Sequence, residues 1–104
     1  MPEQPTNFQG EAVSPISIQL TWDPPMDSGN NIQSYELYYN DSHSRQKLHV
    51  SISSSLSSYL LNDLTPNTVY HIRLAAKSKR GEGASTATIQ IKTPEFGESV
   101  GLLV

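Results

Sequence analysis

The residues of this chain that could do chemistry are its histidines, its many serines and a short basic run, and their spacing limits each of them. The three histidines are His43, His49 and His71, and the 104 residues contain no cysteine. A zinc site needs three or four convergent nitrogen, oxygen or sulfur ligands, and no closely spaced pair of ligands occurs. Alternation puts His49 and His71 on the outward side of their strands, and composition puts His43 in a loop. They read as surface histidines, and no metal or other cofactor is expected. Nucleophilic catalysis asks for a serine beside a base that a third group orients. No serine here sits in a Gly-x-Ser-x-Gly elbow. Gly81-Glu82-Gly83 is glycine-rich, but no helix follows it to offer free N–H groups to a phosphate. A catalytic role is therefore not expected, and a hydrolase is the remote alternative.

Three features could carry binding. Lys77, Lys79 and Arg80 cluster around a hairpin turn in an otherwise acidic chain. Such a patch could meet a sulfated glycan or an acidic protein surface, although hairpin tips are generally charged for solubility. Tyr38 falls on the outward phase of its strand beside Glu36, as a protein contact or as packing on neighbouring strands. Asn40-Asp41-Ser42 is the one Asn-x-Ser/Thr sequon; it reads as the end of a strand on a loop, where sugar could be attached.

The elements that would position these residues read as strands throughout. Ser17 to Trp22 alternates, with Ile18, Leu20 and Trp22 inward. Pro2 and Pro5 keep the start extended before an edge-type strand carrying Phe8 and Ala12, which Ser14-Pro15 breaks. Asp23 to Asn31 is a loop by its prolines and glycine. Ile32 to Asn40 is a third strand, with Tyr35, Leu37 and Tyr39 on the core side. Lys47 to Ile52 is a fourth, through Leu48, Val50 and Ile52. Ser51 to Ser58, with six serines in eight residues, reads as a solvated connection, after which Tyr59, Leu61 and Leu64 return to the core. Pro66-Asn67 marks a turn, and Tyr70, Ile72, Leu74 and Ala76 then line one face of a strand while His71, Arg73, Ala75 and Lys77 line the other. A tyrosine at the mouth of such a strand makes a tyrosine corner, its ring in the core and its hydroxyl bonded to upstream backbone. After the Ser78–Gly83 turn, Ala87, Ile89 and Ile91 close the sheet.

Length predicts one domain. A formal net charge of −3 and a sequence pI near 5.4 argue against broad nucleic-acid binding, which wants a strongly basic face. No apolar run reaches the roughly 18 residues of a membrane helix, so no membrane contact by the domain itself is expected. No hydrophobic stretch follows Met1, and the sequence reads as a piece of something longer. Glu95 to Val104, with Val100, Leu102, Leu103 and Val104, has no periodic partner and reads as a linker or tail.

Seven short strands with this spacing point to an all-β, seven-stranded Greek-key immunoglobulin-like sandwich. Pro5, Trp22 followed by Asp23-Pro24-Pro25, the Ile32–Tyr35 spacing, the Leu64–Tyr70 corner and Ala75-Ala76 resemble a fibronectin type III domain over residues 5–94, with residues 1–4 an N-terminal extension and 95–104 outside the pattern. The resemblance implies one sheet of strands A, B and E and another of C, C′, F and G. It also implies that Trp22 and Tyr70 face each other across the core, with Tyr35, Leu37, Leu64, Ile72 and Leu74 as further core residues. Pro5-Thr6-Asn7-Phe8, Tyr35-Glu36-Leu37 and the stretch from Arg73 to Thr86 are similar to fibronectin domains in the ectodomains of receptor-type tyrosine phosphatases, the leukocyte-common-antigen-related group above all.

That resemblance implies a non-catalytic interaction and spacer module on the extracellular side of a single-pass plasma-membrane receptor. Its partners would be neighbouring domains of its own chain, with a protein ligand or sulfated glycan as further candidates. The alternatives are a force-transmitting fibronectin domain of an intracellular muscle filament protein and a glycan-binding module using the F–G loop. Arg80-Gly81-Glu82 occupies the loop where some fibronectin domains show Arg-Gly-Asp to integrins, but the glutamate is one methylene longer, and no integrin recognition is expected.

Overall fold

The computed structural model describes residues 2–26, 32–44 and 46–97. Within them the chain forms β1 (Thr6–Ser14), β2 (Ser17–Asp23), β3 (Ser34–Asp41), β4 (Leu48–Ser53), β5 (Ser58–Leu61), β6 (Val69–Ser78), β7 (Gly81–Ser85) and β8 (Ile89–Lys92). Two antiparallel sheets result: a three-stranded one in the order β1-β2-β5, and a five-stranded one in the order β4-β3-β6-β7 with β8 also on β6. They form a sandwich, the architecture the strand spacing predicts.

The core follows from period-two alternation, which points successive side chains to opposite faces of a sheet. Ile18, Leu20 and Trp22 from β2 meet Tyr35, Leu37, Ile72 and Leu74 from β3 and β6, all buried, and Phe8, Ala12, Tyr39 and Tyr59 pack against them. Trp22 stands edge-on to Tyr35, centroids 5.4 Å apart at 63°, so β3 supplies the tryptophan's ring partner while Tyr70 lies in the same cluster. Gly10 gives β1 room to approach, since a Cβ there would sit 2.8 Å from Leu20 Cδ2.

The tyrosine corner closes one end of the sandwich. The Thr65 N–H donates to the Tyr70 hydroxyl oxygen at 2.7 Å, and the Leu64 N–H reaches across to the Ile16 carbonyl in the β1–β2 turn at 2.9 Å. Asp63 and Asn67 hold positive φ, 61° and 53°, a conformation that Asn and Asp tolerate better than most residues. Thr93 is fully buried beside them. Its hydroxyl donates to the Thr65 carbonyl at 2.6 Å and accepts the Thr68 N–H at 3.1 Å.

Several expectations are corrected. There are eight strands and not seven, because residues 86–88 interrupt the last one. The reason is Thr86: its hydroxyl accepts the Leu74 N–H at 3.1 Å, replacing a ladder carbonyl, while its own N–H donates to the Leu74 carbonyl. Ala87 falls in that gap and is exposed. The third strand starts at Ser34 and not Ile32, and it runs through Asn40 to Asp41. The fourth takes in Ser51 and Ser53, because their backbones pair with Glu36 and Ser34, so only residues 54–57 of the serine-rich stretch connect strands. Pro2, in the segment read as an extension, is buried, and its carbonyl lies so close to Gly83 that a Cβ there would come within 1.9 Å. Val100, Leu102, Leu103 and Val104 lie outside the described residues.

The register places the connections at two poles. Thr6 pairs with Asp23, Ser34 with Lys77 and Ser78 with Gly81, so the chain enters beside the β2–β3 and β6–β7 connections. Val69 pairs with Lys92, and Thr93 bonds to the corner that touches the β1–β2 turn, so the chain leaves at the opposite pole.

Candidate interaction face

The outward side of the five-stranded sheet gathers most of the residues singled out by their chemistry. β3, β4 and β6 run in register there, with Glu36 opposite Ser51 and Ala75, and Tyr38 opposite His49 and Arg73. Side chains opposite one another on neighbouring strands come within about 5 Å, and here they interlock. Tyr38 stacks on His49, centroids 4.7 Å apart at 12°. On its other side the Arg73 guanidinium carbon lies 4.2 Å from the Tyr38 ring centre, a cation–π contact. The Tyr38 hydroxyl donates to Glu82 Oε1 at 2.5 Å across the sheet. That bond to a carboxylate, reinforced by partial burial and the negative charge of Glu82, pushes the Tyr38 phenol up to about 12.

Glu36 breaks the simple alternation. It lies on the outward side, yet it is only 4% exposed. Burial disfavours its charged form, but the charge is met by Ser34 Oγ at 2.5 Å, Ser51 Oγ at 2.7 Å and His49 Nε2 at 2.6 Å. These donors outweigh the burial and hold its carboxyl below the usual range. His49 therefore has a partner and a place, which its outward phase did not reveal. The signal was available only across strands: a carboxylate, a histidine and a serine on three same-face positions of a hairpin.

The other candidates are arranged as follows. Lys77 is exposed on the outward side of β6, and Lys79 and Arg80 form the β6–β7 turn, where Gly81 takes φ 118°. Within Arg80-Gly81-Glu82 the carboxylate is tied back to Tyr38. Asn40 is half-buried near the end of β3, opposite His71, with the strand running one residue beyond it, and its side-chain amide donates to the Asp41 carbonyl at 3.2 Å. Ser42, the third sequon residue, bonds to the Val69 carbonyl at 3.3 Å and to His71 Nε2 at 3.1 Å. His43 is exposed in the turn that the Asp41 carboxylate caps. Trp22, Tyr35, Leu37, Leu64, Tyr70, Ile72 and Leu74 are all buried. Among the described residues no cluster of three or more His, Asp or Glu side chains could hold a metal ion.

The geometry, with a buried tryptophan on β2, a tyrosine corner at the start of β6 and a β1-β2-β5 sheet packed on the five-stranded one, has close counterparts. Tyrosine-protein phosphatase Lar of Drosophila melanogaster is 43% identical over 96 residues, covering 92% of this chain and 5% of that protein. Receptor-type tyrosine-protein phosphatase F of Mus musculus is 40% identical over 96 residues, covering 91% and 5%. The chain thus spans only a small part of the curated relatives it matches. The crystal structure of the chicken CNTN1 FN1-FN3 domains superposes with a TM-score of 0.83 at 28% identity, over 91% of this chain and 32% of that one. The fibronectin type III domain family model matches residues 3–92, end to end with the sandwich, and the chain belongs to that family.

Proposed function

We propose that this chain is a non-catalytic interaction and spacer module on the extracellular side of a single-pass cell-surface receptor of the receptor-type tyrosine phosphatase kind. Any phosphatase chemistry would belong to other parts of the parent chain, because the shared region is the fibronectin domain alone. The observation that carries the reading is the pair of opposed poles. A sandwich whose chain enters at one end and leaves at the other can be threaded between neighbours, setting their separation. Exposed apolar side chains sit where such neighbours would touch: Met26 after β2 at the first pole, Ile16 and Phe96 at the second. Asn40 is the proposed glycosylation site of the native protein, and Lys77, Lys79, Arg80 and Tyr38 its proposed partner-binding residues.

The test is expression behind a signal peptide in mammalian cells. The folded chain is expected in the medium, with an enzyme-removable glycan on Asn40 seen by mass spectrometry. Retention and degradation of a chain that folds in bacteria would overturn the extracellular reading. Purified protein is expected to leave p-nitrophenyl phosphate unhydrolysed.

A further inference from the structure

The edges of the two sheets are protected unequally. A free edge presents unpaired N–H and C=O groups to any extended chain, and natural edges are blunted by charge, bulges or shortness. β1 carries Glu11 and two register shifts against β2. β5 and β8 are four residues each. β7 holds Glu82, is shifted against β6 and stops at Ser85. β4 has none of these guards. It pairs with β3 in unbroken register from Leu48 to Ser53, and no strand lies on its other side. Residues 48–62 contain no lysine, arginine, aspartate or glutamate. Along this uncharged flank Leu48, Leu56 and Leu60 are 38%, 46% and 42% exposed.

We propose that β4 is a pairing edge through which two copies of this chain associate side by side, β4 against β4 in antiparallel order. The two five-stranded sheets then become one. Residues opposite each other in an antiparallel pair point to the same face, so a continuous core face restricts the register. Leu48, Val50 and Ile52 lie on the inner side of β4, opposite Tyr39, Leu37 and Tyr35 of β3, and His49 and Ser51 lie on the outer side. Centred on Val50, the pairing sets Val50 against the partner's Val50, Leu48 against the partner's Ile52 and His49 against the partner's Ser51. Aliphatic meets aliphatic inside and polar meets polar outside. One step further, Ser53 meets the partner's Lys47. A twofold contact must be complementary to itself. A charged strand would set like charges near one another, and a neutral one avoids that, which favours a second copy over a charged peptide. The strands run from pole to pole, so this flank leaves both poles free, and the proposal does not depend on the extracellular reading. One strand pair is a narrow contact beside that of a permanent complex. The association is therefore weak and suits chains held at high local concentration.

Sedimentation equilibrium of the purified chain from about 10 µM to about 1 mM is expected to show a monomer–dimer equilibrium. Ser53→Lys and Ser53→Glu, each confirmed as folded by circular dichroism, then read the register. The lysine faces the partner's Lys47 and should weaken the dimer roughly fivefold, while the glutamate should tighten it by a similar factor, the axis counting each pair twice. Net charge alone predicts the reverse, because the chain already carries −3 and the glutamate makes it more negative. The chain has no cysteine, so an introduced thiol reports alone. Val50→Cys brings two Cβ atoms within about 5 Å across the axis and should form a disulfide-linked dimer in a glutathione buffer. Val13→Cys on β1, 40% exposed, should remain a monomer. A chain that stays monomeric at every concentration would overturn the proposal. So would a dimer that ignores both Ser53 variants and is not cross-linked through Val50, since its interface would then lie elsewhere, such as at the poles.

Discussion

Glu36 shows at the residue scale how a position can obey the pattern and escape its meaning. Its phase is outward, yet it is buried, bonded by Ser34 on its own strand and by Ser51 and His49 on the next. Because these donors hold the folded carboxyl below its unfolded value, the stability they contribute is present above the unfolded pKa and is lost as pH falls through the folded one. Glu36→Gln is expected to cost about 1.5–3 kcal/mol at pH 7, the range for hydrogen bonds to a charged group. The His49 share is discounted because that side chain is 47% exposed. Urea unfolding at pH 7 and pH 2.5 checks this: the two proteins should converge in acid, and a constant difference would mean that charge is not the cause. Tyr70→Phe tests a different bond. It keeps the ring but strips the Thr65 N–H of its acceptor, and an unpaired donor there should cost about 1–3 kcal/mol in the same urea titration at pH 7.

The strands themselves were legible wherever a single strand supplied the information. Ile18, Leu20 and Trp22, or Tyr70, Ile72 and Leu74, announce a core face because the period-two pattern is local. The tyrosine corner was legible too, since a turn, a spacing and a tyrosine define it. Features made by two elements together were not. Asn40 reads as the last residue of a strand opening onto a loop, but the pairing of Asp41 with Tyr70 carries β3 past it. Ala75 has an outward phase and is buried, lying in register with Glu36 and Ser85 on the strands to either side. The break at residues 86–88 and the buried Thr93 depend on hydroxyls standing in for backbone groups, which no hydrophobic pattern encodes. Thr93 binds the end of β8 to the corner by its bonds to Thr65 and Thr68, segments 25 or more residues away in sequence. Thr93→Val preserves its shape and orphans both partners, and should lower stability by about 1–3 kcal/mol, whereas Thr93→Ser should recover most of the loss. A valine variant as stable as the parent would show that the corner holds without this clasp.

Taken whole, the molecule separates the residues that hold it together from those that face outward at its ends. Trp22→Ala should cost about 3–5 kcal/mol, a large share of the roughly 5–15 kcal/mol that a domain possesses. Met26 and Phe96 are just as apolar in character, yet they are 81% and 74% exposed. Neither has enough covered surface for its burial to stabilise this sandwich, and the two lie at opposite poles. If they serve contacts with neighbouring domains, the isolated chain should be indifferent to them. Met26→Ser and Phe96→Ser, alone and together, are therefore expected to shift its unfolding free energy by no more than about 0.5 kcal/mol, as for other exposed positions. The double variant should equal the sum of the singles, since distant sites add. Urea titration of the three variants measures this. A loss above about 1 kcal/mol from either single variant would place that side chain in this domain's own core and remove it from the apolar contact surface at its pole on which the spacer reading depends.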